Sequence, residues 1–316
     1  MRVRSLFLSF LAIVSLLAVP EGAQRGPVPD PLVRENAMVK LGDHSWAIPD
    51  DNVPQVPNVG IVVGTRATLV IDPGMGRRNG ATVLREVAKV SKNTELYVAA
   101  THFHVEHTTG NVAFPATAKF VSSRIQDAEF VEGAAQQAKT FSARGPVHAE
   151  LLKEVVQRKA DISFDRDHML DLGGVRVRLL VVGPTHTRGD TVFFVEGDNV
   201  LFAGDVVMNN SFVAAFPYSS MKAWLSAFDV LEKWGPRTIV PAHGEIGPGT
   251  LVGVNRGFMQ EIQARARALA GQGRPVDEVA ATVQKEMETK HPTWARANGV
   301  ANAARSAVSE APPVSR

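Results

Sequence analysis

Between Ala100 and Asn111 the chain reads ATHFHVEHTTGN, and four of these residues are metal-ligand types: His102, His104, Glu106 and His107. Imidazole and carboxylate suit zinc and similar divalent ions. His102 and His104 alternate at the end of an apolar run, ELYVAATH. On an extended segment both project to the same side. His107 lies three residues beyond His104, and HTTGN can open a helix that swings it back toward the same place. This is not the helical HExxH spacing, in which the histidines are four apart. The chain has no cysteine, so any metal site uses nitrogen and oxygen ligands and no disulfide forms.

Four more residues of these types end other apolar runs: Asp72 in LVIDPG, His186 in GPTHTRGDT, Asp205 in LFAGDVV and His243 in IVPAHGE. Glycine or proline stands near each. Loops at the ends of strands on one sheet edge are where layered α/β folds gather functional groups. The elements that would position them follow the periodicity. VGIVVGTRATLVIDPG reads as two strands around a turn, NGATVLREVAKVSK as a helix with Val83, Leu84, Val87 and Val90 on one face, and ELYVAATH as a buried strand. VRVRLLVVG, DTVFFVEG and VLFAGDVV are further strands, the last two a hairpin through EGDN. SSMKAWLSAFDVLEKWG is an amphipathic helix, capped by Ser219 or Ser220 and stopped by Gly235. Asp190 reads equally as a turn cap or a site residue. Arg188 reads as a solvated arginine and Lys222 as a helix-surface lysine, while His44, His148, His168 and His291 read as surface or packed histidines.

Taken in order, Asp72, THFHVEH, His186, Asp205 and PAHG with His243 resemble the five motifs of the metallo-β-lactamase fold superfamily, over roughly residues 40 to 250. The resemblance implies an α/β fold, a four-layer αβ/βα sandwich of two packed mixed sheets with outer helices, and metals in a cleft at one edge. On this reading residues 1–23 are a signal peptide and 24–36 an extended lead-in. Residues 37–250 form the metallo-β-lactamase-like domain, with a helical insert at 124–160. Residues 251–291 form a C-terminal helical extension and 292–316 a flexible tail. By the resemblance His102, His104 and His186 hold one metal, Glu106, His107 and His243 a second, and Asp205 bridges them. Asp72, Glu106 and Asp205 are the carboxylates of the catalytic site, Asp72 together with Thr101 by orienting ligands. The implied cofactor is Zn2+, two ions, with iron or manganese as the alternatives. A hydroxide held between such metals attacks a carbonyl carbon. The expected reaction is hydrolysis of an amide or lactam, a lactone or a thioester.

Glu106 departs from the family pattern, which has Asp there. Its extra methylene leaves three readings: a ligand still, a proton shuttle beside a weaker second site, or a one-metal enzyme. The lack of cysteine excludes the lactamase type with a Cys ligand, and Asp205 looks more like the hydroxyacylglutathione hydrolase and lactonase branches. His104 stands where a diiron relative resembles a pattern with Glu. A mononuclear iron dioxygenase built on His102, His104 or His186 with Asp205 is one alternative, and a non-catalytic metal-binding descendant is another.

The rest of the composition sets bounds. The 316 residues are 45% apolar with a formal net charge of +2, and no long basic run supports nucleic-acid binding. MRVRSLFLSFLAIVSLLAVPEGAQ has the charged start and short apolar run of a secretory signal. A periplasmic or secreted protein is expected, with no membrane contact after cleavage and a small-molecule substrate as its partner. Nothing in the sequence sets an oligomeric state.

Overall fold

The computed structural model describes residues 29–156, 158–295 and 297–311. The expected signal peptide, the first residues of the lead-in and the last five residues lie outside the described residues. No helix among them is long and apolar enough to cross a membrane.

Two sheets form the centre. The first has the order β1 (Val39–Lys40), β2 (Ser45–Ile48), β3 (Val59–Val63), β4 (Ala67–Ile71), β5 (Glu95–Ala99), β6 (Lys119–Ser123) and β7 (Ile162–Phe164). It is antiparallel up to β4 and parallel beyond it. The second runs β13 (Gly247–Pro248), β12 (Thr238–Pro241), β11 (Val200–Gly204), β10 (Thr191–Val195), β9 (Arg176–Val181) and β8 (Asp167–Asp171). Neighbouring residues of a strand point to opposite faces, and the sequence uses both faces. Leu69 and Ile71 of β4 pack between the sheets with Phe193, Val195 and Phe202. Val70, between them, faces Val83 and Val87 of α1 (Gly76–Val90). On the second sheet Val192, Phe194 and Leu201 turn outward onto Trp224, Phe228 and Leu231 of α5 (Met221–Trp234). The result is the expected four-layer sandwich of two mixed sheets with outer helices. Each fully buried side chain of this size contributes about 1.5–3 kcal/mol.

Local signals set the ends of α5. The Ser220 hydroxyl accepts from the Ala223 amide at 3.0 Å, and Gly235 closes the helix at φ +61°. Further helices are α2 (Val105–Thr108), α3 (Arg124–Ser142), α4 (Pro146–Leu151), α6 (Leu251–Gly271) and α7 (Val276–Lys290). The periodicity passes over β6, β7 and β8, which are short or alternate weakly.

The expected flexible tail is corrected by a helix within it, α8 (Gly299–Ser309). Val300, Ala303, Ala304 and Ala307 recur at helical spacing and are buried in the core shared with α6 and α7. Alanine is small enough to let the helices approach closely, so the stripe carried little hydropathy but a real packing face. The Asn302 side-chain amide donates to the Ala215 carbonyl at 2.9 Å, and the Phe212 amide donates to the Ala295 carbonyl at 3.0 Å. This C-terminal region thus holds the segment 211–215 in place.

Strand direction brings the motif loops to one edge. β4 and β5 are parallel and lead into Asp72 and Thr101, and β11 and β12 are parallel and lead into Asp205 and His243. β10 starts where β9 and β11 end, which brings the His186 loop there too. The edges of the two sheets are tied by the Thr191 amide donating to the Thr101 carbonyl at 2.7 Å.

Candidate metal centre

Asp72 has a left-handed backbone, φ +55°, uncommon for a residue with a Cβ. Its side chain is buried and fully used. Oδ1 accepts from the Thr101 amide at 2.7 Å, and Oδ2 accepts from the Thr101 hydroxyl at 2.9 Å. With its proton given to Asp72, the Thr101 oxygen accepts from His102 Nδ1 at 3.0 Å. That leaves Nε2 of His102 bare, 3.0 Å from Nδ1 of His104. Nε2 of His186 is 3.3 Å from the same His104 atom, while Nδ1 of His186 donates to the Ala214 carbonyl at 2.6 Å. Three ring nitrogens therefore face one point. Three nitrogens 2.0–2.1 Å from one tetrahedral ion stand about 3.3 Å apart, which matches. Burial first, then the neighbouring imidazoles, hold His102 and His104 well below the ordinary imidazole range. Both rings are neutral, the form that ligates metals.

A second group adjoins the first. The His104 carbonyl accepts from the amides of His107 and Thr108 at 3.0 and 3.1 Å, which starts the single turn α2 and places Glu106 and His107 on it. His243 follows β12, and its Nδ1 donates to the Val56 carbonyl at 2.8 Å. Ligand atoms of Glu106, His107 and His243 lie within 4.8 Å of one another, as do those of His102, His104 and His186. The His102 and His107 ring centroids are 4.1 Å apart, so the groups share a wall. Asp72 Oδ2 stands 3.1 Å from His107 Nδ1, a carboxylate behind an imidazole as in the outer shell of metal sites. His107 is fully buried, and its Nε2 has no hydrogen-bond partner among the described residues. Such a nitrogen is costly unless a cation takes its lone pair, so the residues fit a metal. Burial alone would lower the His107 pKa, but Asp72, by charge and hydrogen bond, then Glu106 and Asp205 outweigh it and raise it. Asp205 is buried with Oδ2 3.3 Å from His186 Nε2. Its charge is felt at both His104 and His107, one from each group. All seven expected ligands and Asp72 are thus gathered at this edge. Gly204, just before Asp205, has φ +59°, and a Cβ there would meet that of Thr101 at 3.0 Å.

The supports come from farther away. Asp190 is buried and accepts from the Thr187 amide at 2.9 Å and from the hydroxyls of Thr185 and Thr187, so it ties the His186 loop on both sides. Burial raises its pKa, against the opposing charge of His186 and these hydrogen bonds. Glu129 on α3, which sequence reasoning missed, accepts from the amides of Arg188 and Gly189 at 2.8 and 2.7 Å. Asn58, also missed, donates to the carbonyls of Pro241 and Gly244 at 2.9 and 2.8 Å and braces the His243 loop. A helix interior and a Pro-rich loop carry no local signal for such contacts.

The two flanks differ. Beside His243 a cavity of 380 Å³ is lined by Asn52, Gln55, Asn209, Asn210 and Ser211 among others. Beside His186 the Phe216 ring lies 5.2 Å from that imidazole and stacks on Tyr218 at 5.6 Å, both rings partly exposed. Arg188 covers Tyr218 and pairs with Glu129 and Glu132. Lys222 lies on α5 with its amide bonded to Glu310. His44, His168 and His291 lie outside the centre, against Val63, Phe164 and Trp294.

Residues 53–243 match the family model described as Metallo-beta-lactamase superfamily. The acyl-coenzyme A thioesterase MBLAC2 of Gallus gallus is 24% identical over 200 residues, 59% of this chain and 72% of that one. The atrochrysone carboxyl ACP thioesterase AacuM of Aspergillus aculeatus is 23% identical over 215 residues, 67% of this chain and 59% of that one. Among solved structures, a metallo-beta-lactamase from Pontibacter korlensis superimposes with a TM-score of 0.56 at 18% identity, covering 71% of this chain and 98% of that chain.

Proposed function

The chain belongs to the metallo-beta-lactamase superfamily, and from that premise we propose that it is an exported metal-dependent hydrolase of carbonyl compounds, with acyl thioesters as its substrates. One observation carries the reading: two adjoining groups, His102 with His104 and His186 and Glu106 with His107 and His243, aim buried ligand atoms at two neighbouring points. The names of the two thioesterase relatives point to the thioester among carbonyl substrates. The signal-like residues 1–23 support export.

Divalent metal bound at these groups, two zinc ions on this proposal, supplies Lewis-acid polarisation of a carbonyl and acidifies a water to the nucleophile. His102, His104 and His186 would hold one ion and Glu106, His107 and His243 the other, with Asp205 close to both groups. Glu106 and Asp205 would offset half the charge of two divalent ions. The backbone carbonyls of Val56 and Ala214 and the Thr101 hydroxyl keep protons on Nδ1 of His243, His186 and His102, which reserves each Nε2 for ligation. Asp72 does the same for His107 and fixes Thr101. The Phe216 ring lies 5.9 Å from the His104 imidazole and 5.2 Å from that of His186.

Metal analysis of purified protein with a panel of an acyl thioester, a lactone and nitrocefin tests the proposal. About two zinc ions per chain and fastest release of thiol from the thioester are expected. One iron with oxygen uptake would identify a dioxygenase instead. Bound zinc with no turnover of any of the three would identify a non-catalytic metal-binding protein.

A further inference from the structure

The loop 50–58 has two tasks. It supplies the Val56 carbonyl that orients His243, and it walls the cavity beside that histidine with Asn52 and Gln55. Asp51, Asn52 and Gln55 all have positive φ, between +51° and +60°. Non-glycine residues held this way cost stability and persist where the surroundings fix them. For Gln55 the fixing partner is His148 of α4, from the helical insert. Its Nε2 lies 3.1 Å from Gln55 Oε1, and His148 is itself buried. Burial keeps the imidazole neutral by lowering its pKa, helped by Arg144. A neutral His148 donating from Nε2 occupies the Gln55 carbonyl oxygen. The Gln55 NH2 then carries no bond to a described residue, at the wall of a cavity next to a proposed metal ligand.

The other lining groups narrow what the NH2 meets. None of the described side chains lining the cavity is a lysine or arginine, and Asp50 is a carboxylate among them. Away from His243, an anionic group finds no cationic side chain among these lining residues. Asn52, Asn209 and Asn210 are neutral amides, which pair with neutral carbonyl and N–H groups. The Asn209 NH2 is held by the Glu245 carbonyl at 3.1 Å, which leaves its oxygen to accept.

We infer that this cavity binds the thiol-side portion of the substrate as a neutral, amide-bearing chain, with the Gln55 NH2, aimed by His148, donating to an amide carbonyl of that chain. The inference rests on the thioester reading above. Gln55 is a specificity-determining residue and His148 a positioning residue.

The test uses the metal-loaded protein and Gln55→Leu, Gln55→Met, His148→Leu and the Gln55→Leu/His148→Leu double variant. Substrates are one acyl group carried as a thioester of pantetheine, which has two amides, and of a plain alkanethiol, which has none. Free pantetheine is titrated by calorimetry, which needs no turnover. Loss of one neutral hydrogen bond lowers kcat/KM for the pantetheine ester about 5- to 10-fold in both Gln55 variants, through KM with kcat retained. The alkanethiol ester is unaffected, and pantetheine binds more weakly by the same factor. His148→Leu gives a smaller loss that vanishes in the Gln55→Leu background. Equal losses on both esters, unchanged pantetheine binding, additive losses in the double variant, or a drop in bound metal in both Gln55 variants overturn the assignment. If wild type cleaves neither ester, the thioester reading falls, and the pantetheine titration still decides the role of Gln55.

Discussion

Both groups take two residues from the connection after β5 and one from the second sheet, but His102 and His104 sit on an extended segment with His186, whereas Glu106 and His107 are neighbours on one helical turn with His243. The first group is all imidazole. Its His186 loop is held by Asp190 from within, Glu129 from α3 and the Ala214 carbonyl from a segment that α8 secures. The second group mixes a carboxylate with imidazoles and leans on Asp72 and on the backbone of a loop with several positive-φ residues. It also borders the open cavity. The contrast is one of support: an all-nitrogen site set by the frame of the fold, and a mixed site set by one turn, one loop and one long side chain.

The sharpest way to break this comparison is to remove an imidazole that stands at the junction. His102 belongs to the first group, and its ring touches that of His107 in the second. His102→Ala should strip metal and, at about 4 kcal/mol of lost transition-state stabilisation, lower kcat/KM roughly a thousand-fold. Metal content and kcat/KM measured on the same preparation check it. Full activity in that variant sinks the ligand assignment.

Asp72 is the next largest, because it serves both groups: His107 directly, and His102 through Thr101. Asp72→Asn keeps the shape and removes the charge. Changes behind a metal-bound histidine typically cost 10- to 100-fold in affinity or activity, and here the loss should fall on both metals together. If only one equivalent of metal weakens in a competition titration with a chelator, the two groups are independent and the shared support is wrong.

These unequal supports also explain what the sequence could tell. The candidate residues Asp72, His102, Asp205 and His243 were legible because each follows an apolar strand, and a strand has a direction: parallel β4 and β5, like β11 and β12, deliver them to one edge. The sandwich was legible for the same reason, since runs such as ATLVI and TVFFV are apolar on both faces. What was not legible acts across the fold. Glu129 is one glutamate among several in an Ala/Gln-rich helix, and only tertiary packing carries it to the amides of Arg188 and Gly189. The Val56 and Ala214 carbonyls have no side-chain identity at all. From sequence His148 reads as a surface or packed histidine, and nothing local links it to Gln55 across 93 positions. In α8 the packing face is written in alanine, which hydropathy hardly distinguishes from a loose tail.

The smallest expected effect sharpens the comparison most, because it separates a first-group property from a second-group one. Glu106 is buried beside His107 and His243. If it ligates, Glu106→Gln removes one negative charge from the second group only. A carboxylate ligand counts through its charge, so the second equivalent of metal should bind about ten-fold more weakly while the first is unchanged. Glu106→Asp keeps the charge that a carboxylate ligand offers and shortens the reach by one methylene. Affinity at the second position should then be retained or raised. Calorimetric titration of zinc into metal-free protein resolves the two equivalents. If both substitutions leave both equivalents and kcat/KM where they were, Glu106 is not a ligand. If Glu106→Gln leaves the metals but lowers kcat alone, the carboxylate moves a proton instead, and Glu106 serves catalysis rather than metal retention.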